Sequence, residues 1–197
     1  MLFAFSGLKG SGKDTAANVL IKEYGFTKIA FADAVRELAL VIDPWIVSET
    51  RYGPDISRLS ILVENMGWDY LKRNIPEVRR LLQVIGTEGG RMLVGENVWV
   101  DILAKRYPDI ADEDVRYVIT DCRFDNEVEF VRNNGGKLIW INRPGIVSDG
   151  HASESEHIRD LASVVVYNTQ DQQVFEDTIR QIVEFQLGGV KIGRITS

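Results

Sequence analysis

GLKGSGKDT, residues 7–15, is the stretch that decides the fold. It lies between a compact apolar run, residues 2–6, and a segment, residues 16–24, whose apolar side chains have helical spacing. From Gly7 to Lys13 it matches the G-x-x-x-x-G-K pattern of a phosphate-binding loop, which requires a strand before it and a helix after it. The sequence therefore predicts that backbone N–H groups surround a phosphate and that Lys13 reaches the β and γ oxygens of a nucleotide.

The loop departs from the general pattern at Asp14, where a Ser or Thr usually holds Mg²⁺. Nucleoside monophosphate kinases have similar loops, in which a non-hydroxyl residue and then a Thr follow the lysine, and that Thr is Thr15 here. The resemblance implies ATP as donor, with Asp14 meeting Mg²⁺ through water or facing the acceptor. The predicted donor-binding residues are Gly10, Ser11, Gly12, Lys13, Asp14 and Thr15. The alternative is a glycine-rich turn with a solvated lysine.

Length and composition limit the function classes. A chain of 197 residues with 45% hydrophobic content predicts one domain over residues 1–197. The net charge of −6 argues against a nucleic-acid-binding surface and favours a small-molecule partner. The single cysteine, Cys122, excludes an internal disulfide and indicates a reducing, cytoplasmic compartment. No apolar run approaches the roughly 20 residues of a membrane span, so no membrane partner is expected.

Apolar runs alternate with helical patterns at both ends of the chain. Strands are predicted at residues 27–31, 117–120, 137–141 and 163–167, and helices at 34–41, 126–133 and 172–187, with Asp33 and Asp171 as N-caps. Strands that are apolar on both faces indicate a parallel sheet covered by helices on each side. The predicted architecture is a three-layer α/β fold of the P-loop kinase class.

Between about residues 43 and 107 the strand signals vanish. Three helical patterns follow one another there, at about 56–72, 76–88 and 98–105, and the second has a proline in its first turn. We therefore expect an all-helical insertion that binds the substrate.

An acid and an arginine follow the predicted strand at 117–120. Ligands of parallel sheets bind beyond the carboxyl ends of the strands, so Asp121 and Arg123 are predicted near the phosphate loop. Asp121 would order the water ligands of Mg²⁺, and Arg123 would hold a phosphoryl group through paired hydrogen bonds. The alternative is that Asp121 caps the next helix and that Arg123 pairs with Glu127 on the surface.

The predicted insertion carries cations, amides and an aromatic side chain on neighbouring turns. This mixture suits a nucleoside monophosphate, because arginines can hold the phosphate, Gln or Thr can recognise base edges, and an indole can stack on the base. The residues are Arg79, Arg80, Gln83, Gly86, Thr87, Arg91 and Trp99. The alternative is that the arginines are solvated and that Trp99 packs in the core.

Further candidates lie near the predicted strand ends. Lys9, Arg36 and Arg143 are candidate phosphate contacts, and residues 143–157 are a candidate lid. Asn168, with the Thr that follows it, lies where a purine ring could rest, though a turn explains it equally well. His151 and His157 flank acidic residues in a polar loop without the close spacing of a metal site, so no metal site is predicted there.

Four segments carry a resemblance to the deoxynucleoside monophosphate kinases of large tailed bacteriophages. They are GLKGSGKDT (7–15), RRLLQVIGTEGGR with NVWVD (79–91, 97–101), ITDCRFDNEVEFVRNNGGKLIWINRPG (119–145) and SEHIRDLASVVVYN (155–168). The resemblance implies that Ser11, Lys13, Asp14 and Thr15 contact ATP and the acceptor phosphate, that Arg79, Arg80, Gly86 and Trp99 form the deoxynucleotide pocket, and that Asp121, Arg123 and Glu127 belong to the active centre. It also implies a homodimer, and the host cytoplasm if a phage encodes the chain.

The expected reaction is transfer of the ATP γ-phosphate to a deoxynucleoside monophosphate, which gives the diphosphate. One rival is a P-loop kinase for another phosphorylated metabolite, such as phosphomevalonate or dephospho-coenzyme A, and the arginine-rich middle segment argues against it. A second rival is a nucleotide-binding switch that phosphorylates no acceptor.

Overall fold

Five parallel strands form the main sheet of the computed structural model, which describes residues 1–50, 53–146, 157–169 and 171–188. In chain order the strands are β1 Leu2–Ser6, β2 Thr27–Ile29, β3 Trp45–Thr50, β4 Gly53–Arg58, β5 Tyr117–Ile119, β6 Lys137–Asn142 and β7 Val164–Tyr167. The main sheet has the order β2-β5-β1-β6-β7, and all its pairings are parallel. β3 and β4 form a separate antiparallel pair.

Helices connect these strands. They are α1 Lys13–Tyr24, α2 Ala32–Ile42, α3 Leu59–Asn74, α4 Pro76–Gln83, α5 Val98–Arg106, α6 Asp125–Asn133, α7 His157–Asp160 and α8 Gln172–Gln186, and a π-helix spans Val84–Val94. The described residues divide into two compact units. The first contains Met1–Ala30 and the chain from Tyr107 onward, and the second is Phe31–Arg106.

The core of the first unit lies between the sheet and the helices α1 and α8. Phe3, Phe5, Ile139 and Ile141 point from the central strands into this cluster, where they meet Phe175 of α8. Neighbouring residues of a strand point to opposite faces, so Leu2 and Leu138 face the other side, where α6 packs against β1 and β6. The predicted α/β fold, a parallel sheet flanked by helices, is confirmed.

Several local predictions for this unit also agree with the structure. All five residues of β1 are buried, as an apolar central strand requires. Asp171 caps α8, because its carboxylate accepts hydrogen bonds from the N–H groups of Gln173 and Val174.

The second unit corrects the prediction of an all-helical insertion. Trp45 to Arg58 forms the β3–β4 hairpin, so the helix predicted from residue 56 begins instead at Leu59. Most described side chains of the hairpin are exposed or partly exposed, and Ile46 is buried. The helix predicted over 76–88 changes after Gln83 into the π-helix.

The predicted N-cap at Asp33 is also wrong. α2 begins at Ala32 and is preceded by Phe31 in a helical conformation. Asp33 lies inside the first turn and accepts a hydrogen bond of 2.8 Å from Arg36. An acid at this position still complements the positive end of the helix.

Two predictions stay open. The candidate lid, residues 143–157, falls largely on residues 147–156 and lies outside the described residues, as does His151. The expectation of a single domain over residues 1–197 is untested and stays a prediction. Within the described part of the chain, no helix combines the length and apolar character needed to cross a membrane.

Candidate active site

The phosphate loop connects β1 to α1 at the carboxyl edge of the parallel sheet. Lys13 opens α1, and its ammonium donates hydrogen bonds to the carbonyl oxygens of Gly7 at 2.6 Å and Leu8 at 2.8 Å. The side chain is therefore folded back over its own loop. A bound phosphate offers charged oxygens in place of these carbonyls, so Lys13 is well placed to exchange one set of acceptors for the other.

The loop residues on either side of Lys13 have different surroundings. Ser11 is buried, and its hydroxyl has no hydrogen-bond partner among the described residues. Asp14 is exposed in the first turn of α1 and forms an ion pair of 2.8 Å with Lys28 of β2. Thr15 is partly buried, whereas Lys9 is exposed.

Two side chains from neighbouring strand ends hold the loop. The Asn168 amide, at the end of β7, donates a hydrogen bond of 2.7 Å to the Ser11 carbonyl. The Arg143 guanidinium, which follows β6, donates one of 3.3 Å to the Gly10 carbonyl. Arg143 thus contacts the loop itself, and its contact with a phosphate stays a prediction.

The turn after β5 carries Asp121 and Arg123. β5 lies beside β1, so this turn follows the strand next to the one that leads into the phosphate loop. Asp121 is partly buried and Arg123 is exposed. The residue that precedes α6 is Phe124, so Asp121 is not its N-cap, contrary to the alternative interpretation.

Glu127 fixes the shape of this turn. It is 2% exposed, and one of its carboxylate oxygens accepts hydrogen bonds from the N–H groups of Arg123 at 2.7 Å and Phe124 at 3.2 Å. Hydrogen bonds from backbone N–H groups and the positive end of a helix both stabilise a carboxylate at such a position. Glu127 thus holds the backbone of Arg123, and its place in the active centre stays a prediction.

Cys122 lies inside the same turn and is fully buried. Burial raises the pKa of its thiol well above the ordinary value, and the nearby carboxylates of Glu127 and Asp121 raise this pKa further. The thiol is therefore protonated at neutral pH and is a packing group.

A histidine and a carboxylate lie in contact at the start of α6. His157 of α7 pairs with Asp125 of α6 at 2.7 Å, and both side chains are exposed. Across the described residues, no group of three or more His, Cys, Asp or Glu side chains is arranged to hold a metal ion. The expected Mg²⁺ contacts through water by Asp14 and Asp121 are untested.

In the second unit, Trp99 is 4% exposed. Its indole N–H donates a hydrogen bond of 2.7 Å to the Gly86 carbonyl in the π-helix. Its ring lies against Gly90 so closely that a Cβ there would come 2.3 Å from the ring. This is the packing that the alternative interpretation expected, and whether a base also stacks on Trp99 stays a prediction.

Three candidate arginines of this unit lie in α4 or in the π-helix. Arg79 and Arg80 are exposed, and Arg80 pairs with Glu77 one turn earlier at 2.7 Å. Arg91 donates a hydrogen bond of 3.1 Å to the Glu96 carbonyl. Each side chain is accessible from solvent, as a phosphate ligand must be.

The structure thus gathers one predicted set of residues at the sheet edge of the first unit and a second set along α4, the π-helix and α5. The sequence analysis missed Lys28, the partner of Asp14. The signal was available, because alternation along Thr27-Lys28-Ile29 places Lys28 on the opposite side from the buried Ile29. The hydrogen bond from Asn168 to the Ser11 carbonyl joins residues 157 positions apart, and no sequence pattern predicts it.

Comparison with known proteins extends this picture. A family model described as deoxynucleotide monophosphate kinase matches residues 70–179. A protein of Acanthamoeba polyphaga mimivirus, provisionally named a deoxynucleotide monophosphate kinase, is 34% identical over 93% of this chain and 96% of its own. The deoxynucleoside-5'-monophosphate kinase of Escherichia phage T5 is 31% identical over 67% of this chain and 72% of its own.

Among solved structures, the dephospho-CoA kinase of Campylobacter jejuni aligns with 17% identity and a TM-score of 0.48 over 95% of this chain and 98% of its own. The resemblance inferred from the sequence is confirmed by the family model, which spans more than half of the chain, and by the viral relatives. The chain therefore belongs to the deoxynucleotide monophosphate kinase family, and it is a phosphotransferase.

Proposed function

We propose that this enzyme transfers the γ-phosphate of ATP to a deoxynucleoside monophosphate. The observation that carries the proposal is the loop between β1 and α1, where Lys13 is held beside its own loop carbonyls at the carboxyl edge of the sheet. The turn with Asp121 and Arg123 follows the adjacent strand, and the family supplies the acceptor class.

Lys13 and Arg123 supply positive charge to the transferred group. In phosphoryl transfer, negative charge is spread over the equatorial oxygens of the phosphate in the transition state, so fixed cations are the main catalytic devices. Lys13 leaves the Gly7 and Leu8 carbonyls to bind the β and γ oxygens. Arg123 contributes a guanidinium whose backbone is already held by Glu127.

Mg²⁺ would neutralise charge on the β and γ oxygens when bound with ATP. It prefers oxygen ligands and usually keeps several waters, so few direct contacts with the protein would be needed. Asp14, Thr15 and Asp121 are the residues of this chain that would orient those waters. Lys28 contacts one carboxylate oxygen of Asp14, so a water would be oriented by the other oxygen or after release of Lys28.

The second unit would bind the acceptor. Arg79 and Arg80 would hold its phosphate, and Gly86 with Thr87 in the π-helix would contact the nucleoside. π-Helical turns are rare and frequently occur at functional sites, which supports a binding role for this segment. Trp99 would act by holding the Gly86 carbonyl in place, and Arg36 and Lys9 would add further cations.

A coupled assay of ADP release tests the proposal. It uses ATP with each of the four deoxynucleoside monophosphates, with phosphomevalonate, with dephospho-coenzyme A, and with no acceptor. We expect release with deoxynucleotides alone. Release with another acceptor or with none, or ATP binding without any release, would each refute the proposed substrate class.

The matched variants are Lys13→Ala and Lys22→Ala, both in α1. Lys13→Ala should lower kcat about 10²–10³-fold, as loss of a charge-stabilising contact typically does, without lowering the melting temperature. Lys22 is exposed at the far end of α1, and its substitution should leave kcat unchanged. Near-normal activity of Lys13→Ala would refute the role of the loop. The homodimer, the absence of nucleic-acid and membrane partners and the cytoplasmic location stay predictions.

A further inference from the structure

Asn168 makes a buried contact with the phosphate loop that the proposed mechanism does not use. The residue directly follows β7 and is 9% exposed. Its backbone N–H donates a hydrogen bond of 2.8 Å to the Asn142 carbonyl, which continues the pairing of β6 and β7 by one step. Its side-chain amide donates a hydrogen bond of 2.7 Å to the Ser11 carbonyl, and this bond is buried.

The contact controls the direction of one peptide group. In a planar trans peptide the C=O and the N–H point to opposite sides. Because Asn168 holds the Ser11 carbonyl, the N–H of Gly12 must point away from Asn168. The amides of this loop are the groups that bind phosphate, so the direction of this N–H decides whether it is available to the ligand.

Gly12 makes such control necessary. It has a φ of 110°, a conformation that side chains disfavour, and the chain can rotate easily about a residue without a Cβ. A Cβ on Gly12 would also lie 2.4 Å from the Asn168 amide nitrogen, so the two residues are fitted to each other. Without an external bond the Ser11–Gly12 peptide would be free to turn over.

We propose that Asn168 is a positioning residue that keeps the Gly12 N–H directed at the phosphates of the nucleotide. The inference rests on the proposed function, since it assumes that the loop binds ATP. The hypothesis that a purine ring rests near Asn168 stays a prediction, which base-dependent binding would support.

The test measures two ligands by titration calorimetry on the full chain. ATP carries a base and inorganic tripolyphosphate does not, so a loop effect and a base effect separate. The variants are Asn168→Ala, which removes the side chain, and Asn168→Leu, which keeps its approximate volume but cannot donate. Asn133→Ala, at an exposed position in the last turn of α6, is the control.

Both Asn168 variants should bind ATP and tripolyphosphate about twofold more weakly, because a hydrogen bond that favours one of two peptide orientations about tenfold keeps about 90% of the loops in the binding form, against about 50% without it. The loss should be equal for the two ligands, and the acceptor KM should not change. Thermal unfolding without ligand identifies any variant that fails to fold, and Asn168→Leu protects the test against a cavity at that site.

Three results would overturn the inference. Weaker binding of ATP with normal binding of tripolyphosphate would assign Asn168 to the base. Unchanged binding of both would show that the loop does not depend on the bond. A wild-type chain that binds neither ligand would overturn the proposed function as well, and so is distinguishable from the other two.

Discussion

Gly90→Ala should destabilise the second unit, because Trp99 occupies the space that a side chain would need. An added Cβ would lie 2.3 Å, 2.7 Å and 2.9 Å from three atoms of the indole, where ordinary contacts begin near 3.4 Å. The indole is rigid, buried and tied to the Gly86 carbonyl, so relief requires the whole ring to move. Overpacking of this kind costs about 3 kcal/mol.

Gly89→Ala is the matched control. It lies next to Gly90 in the same π-helix, is exposed, and its added Cβ would meet the Val84 carbonyl oxygen at an ordinary 3.5 Å. Each substitution gains about 0.5–1 kcal/mol because alanine loses less conformational freedom than glycine in a helix. The two variants should therefore differ in their free energy of unfolding by the cost of the clash, about 3 kcal/mol.

Thermal unfolding followed by circular dichroism measures this gap. For a chain of this size, 3 kcal/mol corresponds to about 6–12 °C in Tm. Gly90→Ala should also raise the KM for the deoxynucleotide at a temperature where it is folded, since displacement of Trp99 releases the Gly86 carbonyl. Equal melting temperatures for the two variants would refute the packing of Trp99 on Gly90.

Two further predictions concern the contacts that hold each half of the site. Glu127→Ala removes the present acceptor of the N–H groups of Arg123 and Phe124, and should cost about 1–3 kcal/mol of stability together with a large loss of kcat. Glu127→Gln keeps an acceptor oxygen and should restore most of the stability and most of kcat. Equal losses in the two variants, measured by urea unfolding and steady-state kinetics, would contradict a positioning role. Trp99→Phe keeps a ring but removes the donor to the Gly86 carbonyl. The KM for the deoxynucleotide should therefore rise, while the KM for ATP stays unchanged. An unchanged KM for the deoxynucleotide would show that this hydrogen bond does not support acceptor binding.

The first unit was predictable because its sequence signals are local. A central parallel strand is buried on both faces, so the apolar run at Leu2–Ser6 predicts β1 without knowledge of the strands that pair with it. The glycines and Lys13 fix the turn that follows, and Asp171 caps α8 through its own neighbours. The family model and the structure then confirm what these segments predicted for fold and family.

The second unit was less predictable because its structure depends on pairing and packing between distant residues. The strands of the β3–β4 hairpin pair with each other and bury only Ile46 among their described side chains, so they lack the continuous apolar run that identifies the strands of the main sheet. Ile56 also matches the helical spacing of the residues after it, which extended the predicted helix backward into β4. The π-helix is hydrogen-bonded at Gly86 to Trp99, which lies beyond the end of that helix, so the segment itself does not indicate this contact.

The same distinction separates what could be predicted for the active site. The pattern G-x-x-x-x-G-K identifies which residues bind phosphate, since the bound groups are backbone amides of the segment itself. It does not say what keeps those amides correctly directed when no ligand is present. In this chain we assign that role to Asn168, which directly follows β7. Its buried amide lies against Gly12, where the missing Cβ makes room for it. A glycine of a phosphate loop can therefore be required by the supporting contact behind the loop as well as by the phosphate in front of it.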